Sequence, residues 1–289
     1  MTTIDRVCKV VACPDPCARS VIGTATACEG PLPPLAPQAG EQLLVGKGER
    51  ARTGILLIHR LGGAPWEMHE LARGLNEQGY SVMAVKLAGH CGSLQELAGA
   101  GWMDWLASVR RGADMLACRT DRIVVGGIAT GAVLALALAQ ERPFHVAGVL
   151  ALSPVLRHDG RAGPRRASRA FLLPVLRVLG IARHRALPGR PRRAGLPGTP
   201  WRALGQMGKL AAAVLRRMDM VRAPCLVIHA RHDDDVATVS GAFEIAKTAR
   251  NTNVHLQLLA DREHVITMGR GCGDVVSRAT AFVSGIAWP

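Results

Sequence analysis

Aromatic residues make up only 3% of this chain, and no apolar stretch approaches the roughly 18 residues that a membrane-spanning helix requires. The first shortage leaves few of the bulky groups that line a large apolar pocket. The second argues against a helical membrane anchor. The N-terminus lacks a secretory pattern, because Asp5, Arg6 and Lys9 interrupt any apolar core. Val10-Val11-Ala12-Cys13 has the look of a lipoprotein cleavage box, but no apolar segment precedes it, so a cytoplasmic protein is the expectation. No Cys-x-x-Cys pair occurs among the eight cysteines, which removes the usual zinc knuckle. Cys8, Cys13, Cys17 and Cys28 crowd into a Pro/Gly-rich leader, and Cys91, Cys118, Cys225 and Cys272 are scattered through the body. Reduced thiols are expected, with no metal and no cofactor.

Acid is scarce in one segment. Between residues 157 and 202 stand twelve arginines and a single acid, Asp159, so this stretch carries +11 of the net charge of +14. A local basic patch concerns partners and solubility rather than fold.

What is present is a rhythm. The chain has 289 residues and is 48% hydrophobic, enough for one sizeable domain or two small ones. Residues 1–40 show no sustained period and read as a leader; residues 41–289 read as the folded domain. Gly54 to His59 is a continuous apolar run bounded by turn signals, as in a strand buried on both faces. Met68, Leu71, Ala72 and Leu75 recur at helical spacing, and Gly79 supplies a stop. Further strands are predicted at 81–86, 123–127, 146–152, 225–229 and 254–259, each alternating with a helical pattern such as Trp102 to Leu116. Alternation of this kind predicts an α/β fold, a mostly parallel sheet with helices on both faces. Residues from about 155 to 222 interrupt it without a clear strand, which suggests a cap insertion over the carboxyl ends of the strands. Short helices are expected within it at 171–181 and 208–218.

One turn is short of a single side chain. Gly126 to Ala132 joins a predicted strand to an Ala/Leu-rich helix through Gly126, Gly127 and Gly131. A phosphate loop is excluded, since no Lys follows and the Gly-x-Gly-x-x-Gly spacing is absent. A sharp strand-to-helix turn of small residues is also how one hydrolase class presents its nucleophile, as Gly-x-Ser-x-Gly. Here the third position is Ala129, which has no group to attack with. That class places an acid after the nucleophile and a histidine last. Asp233, Asp234 and Asp235 follow the penultimate strand, and His264 follows the last. Such an acid orients an imidazole, which takes a proton from a hydroxyl. Singly, His264 is as well explained as a surface histidine and the aspartates as a solvated turn; their joint order carries the reading.

From about residue 53 onward the chain resembles the bacterial carboxylesterase and monoacylglycerol lipase branch of the α/β-hydrolases, often labelled serine aminopeptidase S33-like. Four segments carry the likeness: LLIHRLGGAPWEMHELARGLNEQGYSV, KLAGHCGS, GGIATGAVLALALA, and HARHDDDV with EHVIT. The resemblance implies an α/β-hydrolase fold acting on a small acyl or ester ligand through a nucleophile–His–Asp triad. It implies His264 as general base and Asp233 as its orienting acid, the latter fitting an Asp-x-x-Val spacing with Asp234 as the fallback. It implies an oxyanion hole from the backbone N–H groups of Leu61 and Thr130, donors worth about 3 kcal/mol each in such sites.

Two positions depart from the pattern. Ala129 stands where the elbow serine is expected, and His59-Arg60 stands where His-Gly is expected. Loss of a triad serine reduces turnover by about a million-fold. Thr130 and Cys91 are poor substitutes, the first because an elbow presents one side chain, the second for want of a partner. Three readings follow: an ester hydrolase by descent that is inactive or very weak as written; a non-catalytic pseudoenzyme that binds an acyl, carboxylate or phosphate ligand, with Arg60 and the cap arginines holding an anionic one; and an Arg-rich surface associating weakly with anionic lipid or nucleic acid. The last lacks an aromatic platform for bases.

Overall fold

The computed structural model describes residues 40–156, 184–186, 196, 198–230, 239–259, 265–269 and 271–286. All of them fall in one compact unit, Ala36–Pro289.

Seven strands form one sheet in the order β1-β3-β2-β4-β5-β8-β9. They are β1 (Gln42–Leu44), β2 (Thr53–Ile58), β3 (Ser81–Val85), β4 (Arg122–Ile128), β5 (Val146–Leu152), β8 (Cys225–Ala230) and β9 (Val254–Leu259). All neighbouring pairs are parallel except β1 with β3. Every residue of β2, β3, β5 and β8 is buried, which explains why these strands read as unbroken apolar runs rather than alternating ones. β9, at the edge, is only half buried.

Helices α1 (His69–Glu77), α2 (Leu94–Gly99), α3 (Trp102–Ala117), α4 (Thr130–Glu141), α5 (Trp201–Leu215), α6 (Ser240–Thr248) and α7 (Cys272–Gly285) accompany the strands. α1 packs on α7, whereas α3, α4 and α5 pack on one another, so the helices divide between two groups. α4 is buried from Thr130 through Gln140; a helix apolar all round has no solvent face to present.

Two local expectations are corrected. The insertion is not strandless: His184–Ala186 (β6) pairs antiparallel with Gly198–Pro200 (β7). Its prolines hid this ribbon, because Pro argues against a strand except at an edge. The helix expected at 208–218 begins earlier, at Trp201, with Pro200 as its N-cap and Met207, Leu210 and Val214 buried. The helix expected at 171–181 lies outside the described residues.

The chain runs from β2 outward to β3 and then returns past β2 to β4. The strand order therefore reverses at β2 and β4, which lie side by side with Ile58 opposite Gly127. Open α/β sheets bind ligands at such a reversal, outside the carboxyl ends of the strands. The loops that leave β2 and β4 there begin with His59 and Ala129.

Candidate active site

Ala129 leaves β4 with φ 53° and ψ −112°, and Thr130 starts α4 immediately after it. A residue with a Cβ in this region is strained by roughly 1 kcal/mol or more. Its N–H donates to the Leu152 carbonyl of β5 at 2.9 Å, which pins the turn to the sheet. Two glycines allow the chain to turn so sharply. A Cβ on Gly127 would press into the backbone of Gly131, and one on Gly131 would lie 2.7 Å from the His59 carbonyl oxygen and closer still to that of Ile58. The strained tip thus carries only a methyl group, 3% exposed.

Beside the tip, the loop after β2 is held by backbone and imidazole. The Arg60 carbonyl accepts from Gly63 N–H at 3.0 Å and from His59 Nδ1–H at 2.9 Å. His59 Nε2 accepts from Leu87 N–H at 3.2 Å, which settles the tautomer. In a trans peptide the N–H points opposite to the C=O, so locking the Arg60 oxygen also fixes the direction of the Leu61 N–H. Burial, helped by neighbouring His90, pushes His59 well below the usual imidazole range. Burial takes His90 down to about 4. The two rings meet edge to face with centroids 5.0 Å apart. Both imidazoles are therefore neutral at pH 7 and act as fixed supports.

Thr130 offers the first N–H of α4, one of the four that a helix leaves without an internal partner. Its hydroxyl is turned away, donating to Met207 Sδ of α5 at 2.9 Å, and is buried. Cys91, also at positive φ, sits 4.0 Å from the Gly63 carbonyl oxygen. Burial raises its thiol pKa, which opposes the thiolate needed for attack.

Arg60 is not a free cation. Its Nε lies 2.7 Å from Glu67 Oε1, and the Glu67 side chain is 1% exposed. Arg60 N–H also donates to Glu67 Oε2 at 3.4 Å. The Glu67 carbonyl in turn accepts from the buried Thr267 hydroxyl at 2.7 Å. Glu67 and Thr267 escaped the sequence reading. A signal existed for Glu67: it stands four and eight residues before Leu71 and Leu75, on the apolar face of that run. Ser153, one residue beyond β5, is a further unexpected feature. It has φ 42°, is fully buried, donates its N–H to Ile228 O at 2.8 Å, and its hydroxyl has no partner among the described residues.

Asp233, the fallback Asp234 and His264 lie outside the described residues. The strands that precede them end at Ala230 and Leu259, parallel to β4 and therefore at the same edge of the sheet as Ala129. From the insertion, Leu196 N–H reaches the Gly62 carbonyl at 2.8 Å, which brings that segment onto the loop of Leu61. Among the described residues no group of three or more His, Cys, Asp or Glu is placed to hold a metal ion, and no helix is long and apolar enough to cross a membrane.

Comparison with known proteins agrees with this fold. The family model for serine aminopeptidase, S33, matches residues 49–270. A thermostable monoacylglycerol lipase of Bacillus sp. (strain H-257) is 26% identical over 81% of this chain and 91% of its own length. A carboxylesterase of Bacillus subtilis (strain 168) is 24% identical over 81% of this chain and 93% of its own length. Among solved structures, one from work on two metagenome-derived lipolytic enzymes, LipS and LipT, superposes with a TM-score of 0.74 at 25% identity, over 86% of this chain and 99% of that one. The chain belongs to the serine aminopeptidase S33 family, within the esterase- and lipase-like branch of the α/β-hydrolases.

Proposed function

We infer that this chain is a carboxylic-ester hydrolase scaffold that has lost its nucleophile, and that as written it binds an acyl or ester ligand with little or no turnover. The observation that carries the reading is Ala129 itself. A methyl group occupies a positive-φ tip that two glycines and the Leu152 hydrogen bond hold in place. Strain of this kind persists where surrounding structure over-determines it, commonly at functional sites.

In the proposed assignment Leu61 and Thr130 supply backbone N–H groups to the carbonyl oxygen of the ligand, His264 is the base and Asp233 orients it. With serine at position 129, the hydroxyl would give its proton to His264 and attack the ester carbonyl carbon. The tetrahedral oxyanion would rest on the two N–H groups, and the alcohol would leave with the proton from His264. Water would then release the acid by the same route. Without that hydroxyl no acyl-enzyme forms, and only binding and oxyanion polarisation remain. The monoacylglycerol lipase and carboxylesterase relatives favour a monoacylglycerol or another carboxylic ester as the ligand class.

The ion pair with Glu67 weakens the competing view of Arg60 as a carboxylate or phosphate receptor, because an anionic ligand would have to displace a buried carboxylate. An uncharged acyl ligand faces no such competition. Weak association of the Arg-rich insertion with anionic surfaces remains a separate proposal, recognised by its steep loss with salt. The site assignment is tested by labelling with a fluorophosphonate and mapping the adduct by peptide mass spectrometry. The chain as written should remain unlabelled, and Ala129→Ser should be labelled at position 129. Labelling of the unaltered chain at another serine would overturn the assignment.

A further inference from the structure

We propose that Glu67 is a positioning residue of this site, joining the loop that carries Leu61 to the segment that follows His264. The proposal rests on the reading of Leu61 as an oxyanion donor and His264 as the base, and it begins with a substitution that should not fit. Arg60 stands in a buried loop where the resemblance implies glycine, and its side chain is 16% exposed. A buried guanidinium without a counter-charge would be strongly destabilising. Glu67 supplies the counter-charge from the 3-10 turn Pro65–Met68, only seven residues away.

The Glu67 carboxylate touches the loop at more than one point. It faces Arg60 Nε at 2.7 Å and accepts Arg60 N–H at 3.4 Å. It also abuts the α-carbon of Gly63, where a Cβ would fall 2.6 Å from its carboxyl carbon. Gly63 N–H closes the turn onto the Arg60 carbonyl. Both ends of the turn that contains Leu61 are thus bounded by one buried carboxylate. Through its main chain the same residue takes a hydrogen bond from Thr267 Oγ1 at 2.7 Å, across 200 residues of sequence, and Thr267 is fully buried. Next to it, Gly269 N–H donates to Glu70 Oε2 at 3.2 Å. The described part of the segment after His264 is therefore fastened through Thr267 to the 3-10 turn that holds Arg60, and through Gly269 to the start of α1.

Glu67 acts through other groups: it holds the Leu61 amide in direction and keeps the segment after His264 in register with it. The pair Arg60–Glu67 behaves as one replacement. Removing Glu67 alone strands a cation, whereas removing both leaves no unpaired charge in the loop.

The test has two arms, each with its own readout. In the chain as written, hydrogen–deuterium exchange is followed over residues 60–69 and 265–269 for Glu67→Gln, Thr267→Val and the double variant Arg60→Gly with Glu67→Gln. Both single variants should speed exchange in both segments by about tenfold, with the rest of the sheet unchanged, and the double variant should recover most of the protection. In an Ala129→Ser background, p-nitrophenyl ester hydrolysis by Glu67→Gln should show kcat reduced by about tenfold with KM nearly constant, and Arg60→Gly should restore it. Uniform acceleration across the whole protein, or a Glu67→Gln defect that persists without Arg60, would overturn the proposal. Should Ala129→Ser prove inactive, the assignment of the nucleophile position fails, while the exchange arm still decides whether Glu67 couples the two segments.

Discussion

The α-carbon of Gly131 rests against the carbonyl groups of Ile58 and His59, so the first turn of α4 and the end of β2 meet backbone to backbone. A methyl group at this position would lie 2.7 Å from the His59 oxygen, and neither element can yield without moving the sheet. Gly131→Ala should therefore cost about 3 kcal/mol, at the upper end of overpacking penalties. Urea unfolding checks this through the midpoint. A midpoint unchanged from the parent would mean that strand and helix do not approach so closely.

Ser153 combines two unfavourable features: a left-handed backbone at φ 42° and a buried hydroxyl with no partner among the described residues. Glycine relieves both, at the price of a larger entropy loss on folding. Ser153→Gly is expected to raise stability by about 1 kcal/mol, the net of these terms. Thermal melting provides the measurement, and a lower melting temperature would show that the hydroxyl has a stabilising partner.

Burial holds His90 down to about 4, and His59 well below its ordinary value of 6.5. Below about pH 6.5 the unfolded chain takes up protons that the folded chain refuses. The stabilisation is fully present above that pH and is lost as pH falls toward 4. For His90 the loss across the window amounts to about 3 kcal/mol. The difference in unfolding free energy between the parent and His90→Asn, measured at several pH values, isolates this contribution. The parent should have the steeper slope, and parallel slopes would refute it.

Arg110 makes two hydrogen bonds to Glu141, at 2.9 Å from Nε and 2.6 Å from Nη2. Both residues are about a third exposed, and the geometry raises the Arg110 pKa above its usual value. Even so, solvent screening limits such pairs, and Arg110→Gln should cost less than about 1 kcal/mol. A double-mutant cycle with Glu141→Gln gives the coupling energy directly.

The interior strands were legible because they are buried on both faces and therefore read as apolar runs, and β5 matches its expected limits residue for residue; the half-buried edge strand β9 also matches its expected limits. β1 was not, since Gln42–Leu44 is three residues long, half buried and paired at an edge. The sharp strand-to-helix turn was legible from Gly127 and Gly131, which flank Ala129. The supports around it were not. His59 reads simply as the end of a strand, and its ring matters only once Leu87 and Arg60 are brought to it by the fold. Glu67 looks solvated in sequence, although its spacing from Leu71 and Leu75 marks a charge on an apolar face. Thr267 has no local signal, because its partner is 200 residues away.

In the proposed reading, position 129 lacks only its hydroxyl. The most direct measurement is p-nitrophenyl acetate and butyrate hydrolysis by the chain as written, by Ala129→Ser, and by Ala129→Ser combined with His264→Ala. Turnover should stay near background for the first. The second should gain at least about a thousand-fold, and the third should lose that gain. Enzyme-level turnover by the unaltered chain that disappears with His264→Ala would contradict the proposed reading, because a nucleophile other than residue 129 would then be at work.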